Sequence, residues 1–271
     1  MITFRYVAAV AAVAICASSC AIRFDKKKIL AELAGIEVIH LSDVQVRKDT
    51  AVGRFNALSC MGNVEVKLVQ DDISANVSIT APDNVMPYVK ADVEDGILNV
   101  RCDTKDKVYT GSCDITVTVH APSLRSLDIV GSSEFSCGSM NIPGDTLSVS
   151  ISGSGEADFG LLTAAAVKIS VAGSAELGIE SADAGRIDVS VAGSGEVDID
   201  GIRADEVNAD VAGSGSVELS GTAVTASLGV AGSGEVDAEK LKCPAVSTEV
   251  RGSGSITYQG TDGRIKSGTS K

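Results

Sequence analysis

A short glycine-serine motif recurs along the second half of the chain at a nearly constant interval, and this repeat constrains the fold more than any other feature. Its copies begin at Gly131, Gly153, Gly173, Gly193, Gly213, Gly232 and Gly252, at steps of 22, 20, 20, 20, 19 and 20 residues. Five copies read Gly-Ser-Gly; the others read Gly-Ser-Ser and Gly-Ser-Ala. A period of this length indicates stacked supersecondary units rather than an ordinary globular domain.

Each unit has the pattern of short strands around a glycine corner. Apolar and polar residues alternate over 189–192, before one corner, and over 196–200, after it. Such alternation is typical of strands with one buried side, and glycine permits the positive φ of a tight corner. The sequence therefore predicts an all-β fold, in which residues 126–260 form a parallel β-helix, or β-solenoid, with rungs of about 20 residues.

The residues before the repeats also read as strands, in a more conventional arrangement. Residues 64–69 and 115–119 alternate with a period of two, and Asp, Asn, Gly and Pro separate the apolar runs. Aromatic residues make up 3% of the chain and tryptophan is absent, which suits short strands and many turns. We expect residues 36–125 to form an all-β N-terminal part and residues 261–271 a C-terminal tail.

The N-terminus has the pattern of an export signal. Arg5 precedes an apolar stretch that runs to Ile15, and small residues follow up to Cys20. A basic residue, an apolar core and a small-residue cleavage site describe a secretory signal peptide. Residues 17–20 also resemble a bacterial lipobox, which predicts a signal peptide over 1–19, lipidation of Cys20 and a tether over 20–35. A secreted protein with a chance cysteine is the alternative.

The remaining cysteines allow one disulfide prediction. Cys102 and Cys113 flank a turn-rich segment between two apolar runs, and export permits disulfides. They are candidates for a bridge at the base of a hairpin; the alternative is that the cysteines are small buried apolar residues. Only two histidines are present and no CxxC occurs, so the sequence predicts neither a metal site nor a cofactor.

Carboxylates recur at fixed positions of the repeat and form the candidate site. The predicted acidic ladder comprises Glu134, Glu156, Asp158, Glu176, Glu196, Asp198, Glu218, Glu235 and Asp237. Stacked rungs would place equivalent residues about 4.8 Å apart. The ladder is interpreted either as a surface for a cation or cationic partner, or as a solvated face that discourages lateral strand pairing. The net charge of −13 argues against nucleic acid as a partner.

The order of motifs from residue 50 to residue 260 resembles one known family. The glycine-serine series is preceded by residues 54–58, 62–70, 85–89, 95–100 and 121–128, in an order that resembles the head GIN domain family, the auto-transporter adhesins common in Bacteroidetes. The resemblance implies a parallel β-helix-like, exported domain and supplies no catalytic residues.

Taken together, these features predict a non-catalytic binding or adhesion module. Its place would be the bacterial cell envelope, as an exported lipoprotein on the outer membrane facing the periplasm or the surface. The lipid anchor would bind the membrane, and the other partner would be a protein or a glycan. A structural envelope scaffold is the alternative. A polysaccharide-degrading β-helix enzyme is a weaker one, because acid–base catalysis needs two carboxyls in distinct environments and the repeat makes them equivalent.

Overall fold

The computed structural model describes residues 37–71, 75–104, 107–110, 114–260 and 263–268. Its strands are β1 (Glu37–His40), β2 (Gln45–Ala51), β3 (Ala57–Gly62), β4 (Glu65–Gln70), β5 (Asn76–Pro82), β6 (Val89–Glu94), β7 (Ile97–Cys102), β8 (Lys107–Thr110), β9 (Thr116–Ala121), β10 (Ser126–Gly131), β11 (Glu134–Gly153), β12 (Glu156–Gly173), β13 (Glu176–Gly193), β14 (Glu196–Gly213), β15 (Ser216–Gly232), β16 (Glu235–Lys242), β17 (Ala245–Gly252), β18 (Ser255–Gln259) and β19 (Ile265–Gly268). A 3₁₀ turn spans Met86–Tyr88. Within these ranges no helix has the length and apolar character needed to cross a membrane.

The chain forms two compact units. One contains Met1–Leu41 and Lys105–Ser112, in which β1 and β8 pair in parallel. The other contains Ser42–Thr104 and Cys113–Lys271. Residues on both sides of position 125 thus belong to this second unit.

Each repeat makes one three-sided turn, and the turns stack in register. In β12 the three sides are residues 156–159, which we call the post-corner strand, 161–164, the return strand, and 166–173, the pre-corner strand. Every side pairs in parallel with the same side of the next repeat, 20 residues further on. The predicted β-solenoid is confirmed, with about seven turns between residues 126 and 258.

The first glycine of each motif is fixed by both conformation and space. All seven first glycines have positive φ, as expected at these corners. At Gly193 φ is 122°, and an added Cβ would lie 2.5 Å from the carbonyl oxygen of Gly173 in the preceding rung. No Cβ approaches backbone that closely, so side chains are excluded here by the rung below as well as by the dihedral angle.

The third motif position points into the solenoid. A Cβ at Gly195 would lie 2.6 Å from Cγ1 of Val171. The two departures from glycine, Ser133 and Ala175, are both buried. The Ser133 hydroxyl has no hydrogen-bond partner within the part of the chain that the structure describes.

The interior is filled by every second residue of each strand. Phe135 stacks on the small Ala157, and Phe159 stacks on Cys137, so that a large side chain lies beside a small one in each row. The two rings, which are 2% and 1% exposed, meet diagonally with centroids 5.2 Å apart. This alternation of size fills the interior near the start of the repeats.

The stacks of pre-corner and post-corner strands continue into the N-terminal half, but there the strands do not stack in chain order. Strand β3 lies between β7 and β10, and β4 lies between β9 and β11, all in parallel. Beyond them, β6 pairs antiparallel with β7, β5 pairs antiparallel with β9, and β2 pairs with β5. These antiparallel strands cover that end of the solenoid and protect its edges.

One side chain replaces a missing return strand at the same end. The first return strand, 139–142, has no strand before it among the described pairings. The Gln70 amide instead donates to the carbonyl oxygens of Pro122 (2.8 Å) and Asn141 (3.0 Å) and accepts from the Asn141 N–H at 2.7 Å. It therefore satisfies backbone groups that would otherwise be left at an edge.

The buried cysteines behave as small apolar residues. Cys60, Cys137 and Cys243 are buried, and burial raises the pKa of Cys60 to about 12 and of Cys137 to about 11. Their thiolates are therefore disfavoured. Cys113 lies outside the described residues, as do residues 1–36. The disulfide Cys102–Cys113, the signal peptide and lipidation at Cys20 thus stay predictions.

Candidate functional site

The post-corner strands carry a continuous row of glutamates. The register aligns Glu65, Glu134, Glu156, Glu176 and Glu196 on consecutive rungs, followed by Ser216, Glu235 and Ser255. The structure thus aligns the predicted members of this row and adds Glu65, which the sequence pattern did not identify.

A second carboxylate row runs beside the first, two residues further along each strand. It reads Lys67, Ser136, Asp158, Gly178, Asp198, Glu218, Asp237 and Thr257. Carboxylates occupy three consecutive rungs of this second row at Asp198, Glu218 and Asp237. We call the two rows together the acidic face, defined by its carboxylates: Glu65, Glu134, Glu156, Asp158, Glu176, Glu196, Asp198, Glu218, Glu235 and Asp237.

A shallow groove follows the outer border of the acidic face. It has a volume of about 470 Å³ and is lined by Asp158 and Asp198 together with Glu180 and Asp200. Sequence analysis missed the last two, which extend the face by a third position. Asp200 accepts a hydrogen bond of 2.6 Å from the Ser220 hydroxyl one rung away.

Partial burial and neighbouring like charges raise the pKa of two carboxyls on this face. Partial burial raises the pKa of Glu156, and the carboxylates of Asp158, Glu176 and Glu134 raise it further. Partial burial likewise raises the pKa of Asp198, assisted by Asp200 and Glu218 and opposed by Lys240. Both groups therefore lose their proton at a higher pH than an isolated carboxyl does.

A cluster of charged side chains on the neighbouring pre-corner face shows the opposite arrangement, because its members are paired. Arg186 contacts Asp188 and Glu206, each at 2.8 Å, and the Asn208 amide donates to both carboxylates. The Arg186 hydrogen bond lowers the pKa of Asp188. On the acidic face Lys67 pairs with Glu65 at 2.7 Å, at the first rung of the row. The middle of the acidic face thus carries an excess of negative charge.

A polar cluster on β2, β5 and β9 contains the residue types of a nucleophilic site but does not connect them. His120 Nδ1 lies 2.6 Å from Asp71 Oδ2. The Ser78 side chain is hydrogen-bonded to Asp49, whose pKa it lowers. Serine activation needs a hydrogen bond from the hydroxyl to a base. Within the described residues Ser78 and His120 are bonded to different carboxylates.

The described residues contain no group of three or more His, Cys, Asp or Glu side chains placed to hold a metal ion. The acidic rows are spread along the rungs rather than converging on one point. Their chemistry is therefore that of an extended charged surface.

Neutralising one carboxylate in the middle of the row should stabilise the protein at neutral pH. Because the folded state raises the pKa of Glu156, wild type loses stability as pH rises through the unfolded and then the folded pKa of that group. We expect Glu156→Gln to raise the free energy of unfolding by up to about 1 kcal/mol at pH 7. The gain should disappear below about pH 4, where the wild-type carboxyl is protonated.

Glu235→Gln is the matched control for that substitution, since both of its row neighbours are serines. Urea unfolding of both variants at pH 7 and pH 3.5 makes the comparison. Equal gains at the two positions would contradict repulsion along the row as the cause.

The comparisons with known proteins identify the family. The family model described as "Putative auto-transporter adhesin, head GIN domain" matches residues 54–219 and 168–266. The chain belongs to this family. The resemblance read from the motif order is confirmed, and the name of the family is that of a non-catalytic protein. No curated protein matches the chain.

Solved structures share the fold of this head GIN protein at low sequence identity. A "putative adhesin" from Bacteroides fragilis NCTC 9343 has a TM-score of 0.67 and 20% identity, and the match covers 81% of this chain and 99% of that one. A "putative lipid binding protein" from Parabacteroides distasonis ATCC 8503 has a TM-score of 0.63 and 19% identity, with 82% and 99% covered. A "putative adhesin" from Parabacteroides merdae ATCC 43184 has a TM-score of 0.61 and 20% identity, with 82% and 99% covered.

Proposed function

We propose that the chain is an exported, lipid-anchored protein of the bacterial cell envelope whose solenoid binds a positively charged partner through the acidic face. One observation carries the proposal: the fold holds Glu134, Glu156, Glu176 and Glu196 side by side on consecutive rungs, and no ion pair to them occurs among the described residues. Partial burial and the neighbouring carboxylates together raise the pKa of Glu156. A cationic partner would relieve this repulsion, so its binding would be favoured electrostatically. The adhesin name of the family supports a binding role.

The same surface argues for a module that binds without catalysis. The carboxylates Glu134, Glu156, Glu176 and Glu196 lie exposed on an open face of the solenoid. A glycosidase instead needs two carboxyls on either side of a bound sugar, one held protonated and the other ionised. Aromatic residues, which stack on sugar rings in many polysaccharide enzymes, make up 3% of the chain. Polysaccharide turnover that is lost when a single carboxylate is neutralised would overturn this part of the proposal.

Capture of envelope components tests the role of the acidic face. The test variant Glu156→Gln/Glu176→Gln/Asp198→Asn removes three carboxylates from the middle of the face. The matched control Asp183→Asn/Asp205→Asn/Asp210→Asn removes three exposed carboxylates from other faces. Immobilised wild type and control should retain the same basic protein or cationic glycan from solubilised envelopes. The test variant should retain it at least about tenfold less well, and added salt should release it from wild type.

Two other outcomes would contradict the assignment. If all three proteins capture the same partner equally, binding lies elsewhere and the acidic face serves solubility. If wild type captures nothing specific, the structural scaffold becomes the better explanation.

The anchor has its own test. We expect Cys20→Ala to abolish incorporation of labelled fatty acid and to move the protein from the detergent phase to the aqueous phase, because acyl chains would supply the membrane binding. Cys60→Ala is a suitable control, since Cys60 is fully buried in the solenoid. Unchanged lipid labelling in Cys20→Ala would contradict the lipobox assignment and leave the fold assignment untouched.

A further inference from the structure

The pre-corner strands of successive rungs stack into one column and the post-corner strands into another. Each column has an N-terminal and a C-terminal end, and three of these four ends carry an antiparallel covering strand. At the N-terminal end these are β6 on the pre-corner column and β5 on the post-corner column. At the C-terminal end β19 covers the post-corner column by pairing with β18. The remaining end is β17, the last pre-corner strand.

Strand β17 has one partner among the described strands. It pairs in parallel with β15, from Thr225↔Ala245 to Gly232↔Gly252. Its inward-facing residues Val246, Thr248 and Val250 are half-buried. Their counterparts one rung earlier, Ala226, Leu228 and Val230, are 4%, 1% and 2% exposed. An added strand opposite Thr248 and Val250 would restore the burial of these two residues.

The backbone of β17 is oriented to accept such a strand. The N–H of Ser253, immediately after β17, donates to Gly232 O at 2.8 Å and so faces the preceding rung. Because direction alternates along a strand, the N–H and C=O groups of Thr248 and Val250 face the open edge. These groups are a template for pairing with another chain.

We propose that β17 pairs antiparallel with β17 of a second copy of this chain, across a two-fold axis at Val250. In this register Glu249 lies opposite Arg251 of the partner subunit, and Arg251 lies opposite Glu249 of the partner subunit. Both pairs occupy non-hydrogen-bonded positions, where facing side chains come closest.

Charge complementarity is what selects a second copy as the occupant. Within β17, Arg251 Nη2 lies 2.6 Å from Glu249 Oε1, with 73% and 65% of the two side chains exposed. Shifting the axis to Glu249 would instead set two glutamates against each other. A two-fold axis at Val250 brings the Glu249 and Arg251 side chains of both subunits together, so that negative and positive charges alternate. It also places Val250 against Val250 of the partner subunit.

Charge exchange in the full chain, studied by sedimentation equilibrium in density-matched detergent, tests the pairing. Wild type should dimerise reversibly. Arg251→Glu and Glu249→Arg should each weaken the dimer at least about tenfold, because two attractive cross-strand pairs become repulsive. The double variant Glu249→Arg/Arg251→Glu should return to within about threefold of wild type. Lys168→Glu, the same charge change on an exposed mid-solenoid residue, should have no effect.

Cross-linking checks the register independently. Val250→Cys should form an intermolecular disulfide, since a self-paired hydrogen-bonded position has Cα atoms about 5.5 Å apart. Val246→Cys, which has no opposite residue on the partner strand, should not. A wild type that stays monomeric at about 100 µM, a double variant that fails to recover, or cross-linking through position 246 would each overturn the proposal.

Discussion

Replacing Gly193 by alanine should destabilise the solenoid by about 2–5 kcal/mol. Two effects add at this corner. The positive φ of 122° costs an L-residue about 1–2 kcal/mol, and the new methyl group would lie 2.5 Å from the Gly173 carbonyl oxygen. Separating two stacked rungs to relieve that contact is an overpacking cost of about 1–3 kcal/mol.

Two other glycines separate the two effects. Gly62 occupies the first corner with φ of 100°, yet nothing lies within 4 Å of an added Cβ, so Gly62→Ala should show the dihedral cost alone. Gly138 has neither restriction, and Gly138→Ala should be close to neutral. Urea unfolding followed by circular dichroism should rank the variants Gly193, Gly62, Gly138 from most to least destabilised. Equal losses at Gly193 and Gly62 would mean that rung stacking adds nothing.

Replacing Phe159 by alanine should cost about 3–5 kcal/mol, the usual range for removing a buried aromatic side chain. The ring is 1% exposed and contacts the Phe135 ring at 5.2 Å. Its neighbours in the same row are Cys137 and Ile179, which cannot fill the space without moving the rungs. The loss therefore includes the cavity as well as the transfer free energy.

Leu161→Ala is the control for this cavity. Leu161 lies two residues away on the same strand with 62% of its surface exposed, so its truncation should change the free energy of unfolding by less than about 0.5 kcal/mol. Urea unfolding and tyrosine near-ultraviolet circular dichroism provide the comparison. A loss below about 1.5 kcal/mol for Phe159→Ala would contradict tight packing around the ring.

The repeats were predictable because their local and stacking requirements coincide. The first glycine of each motif is required both by the positive φ of the corner and by the close carbonyl oxygen of the preceding rung. It therefore recurs once in every rung, and its interval in the sequence gives the number of residues in a rung. The trailing Glu156 and Glu176 inherit that register, which is why the row of glutamates could be drawn from the sequence alone.

The parts that sequence analysis missed depend on pairing that the repeat does not mark. Glu65 follows Gly62-Asn63-Val64, a corner without the glycine-serine signature, so nothing in its local sequence joins it to Glu134. Glu180 and Asp200 lie where the post-corner strand turns toward the return strand. The pairing register shifts between Ile199 and Ile202, so simple alternation does not fix their direction. The open edge of β17 likewise becomes apparent only when the covering strands are seen.

The displaced order of the N-terminal strands has a consequence for how the protein reaches its native state. Ala57 pairs with Ile97 and with Ser126, partners 40 and 69 residues away, whereas each later rung pairs with residues about 20 positions back. Bringing distant segments together loses more chain entropy before contacts compensate for it. We therefore expect closure of β3 between β7 and β10 to be the slow, nucleating event, and the repeats to add afterwards one by one, from the N-terminal rung to the C-terminal rung.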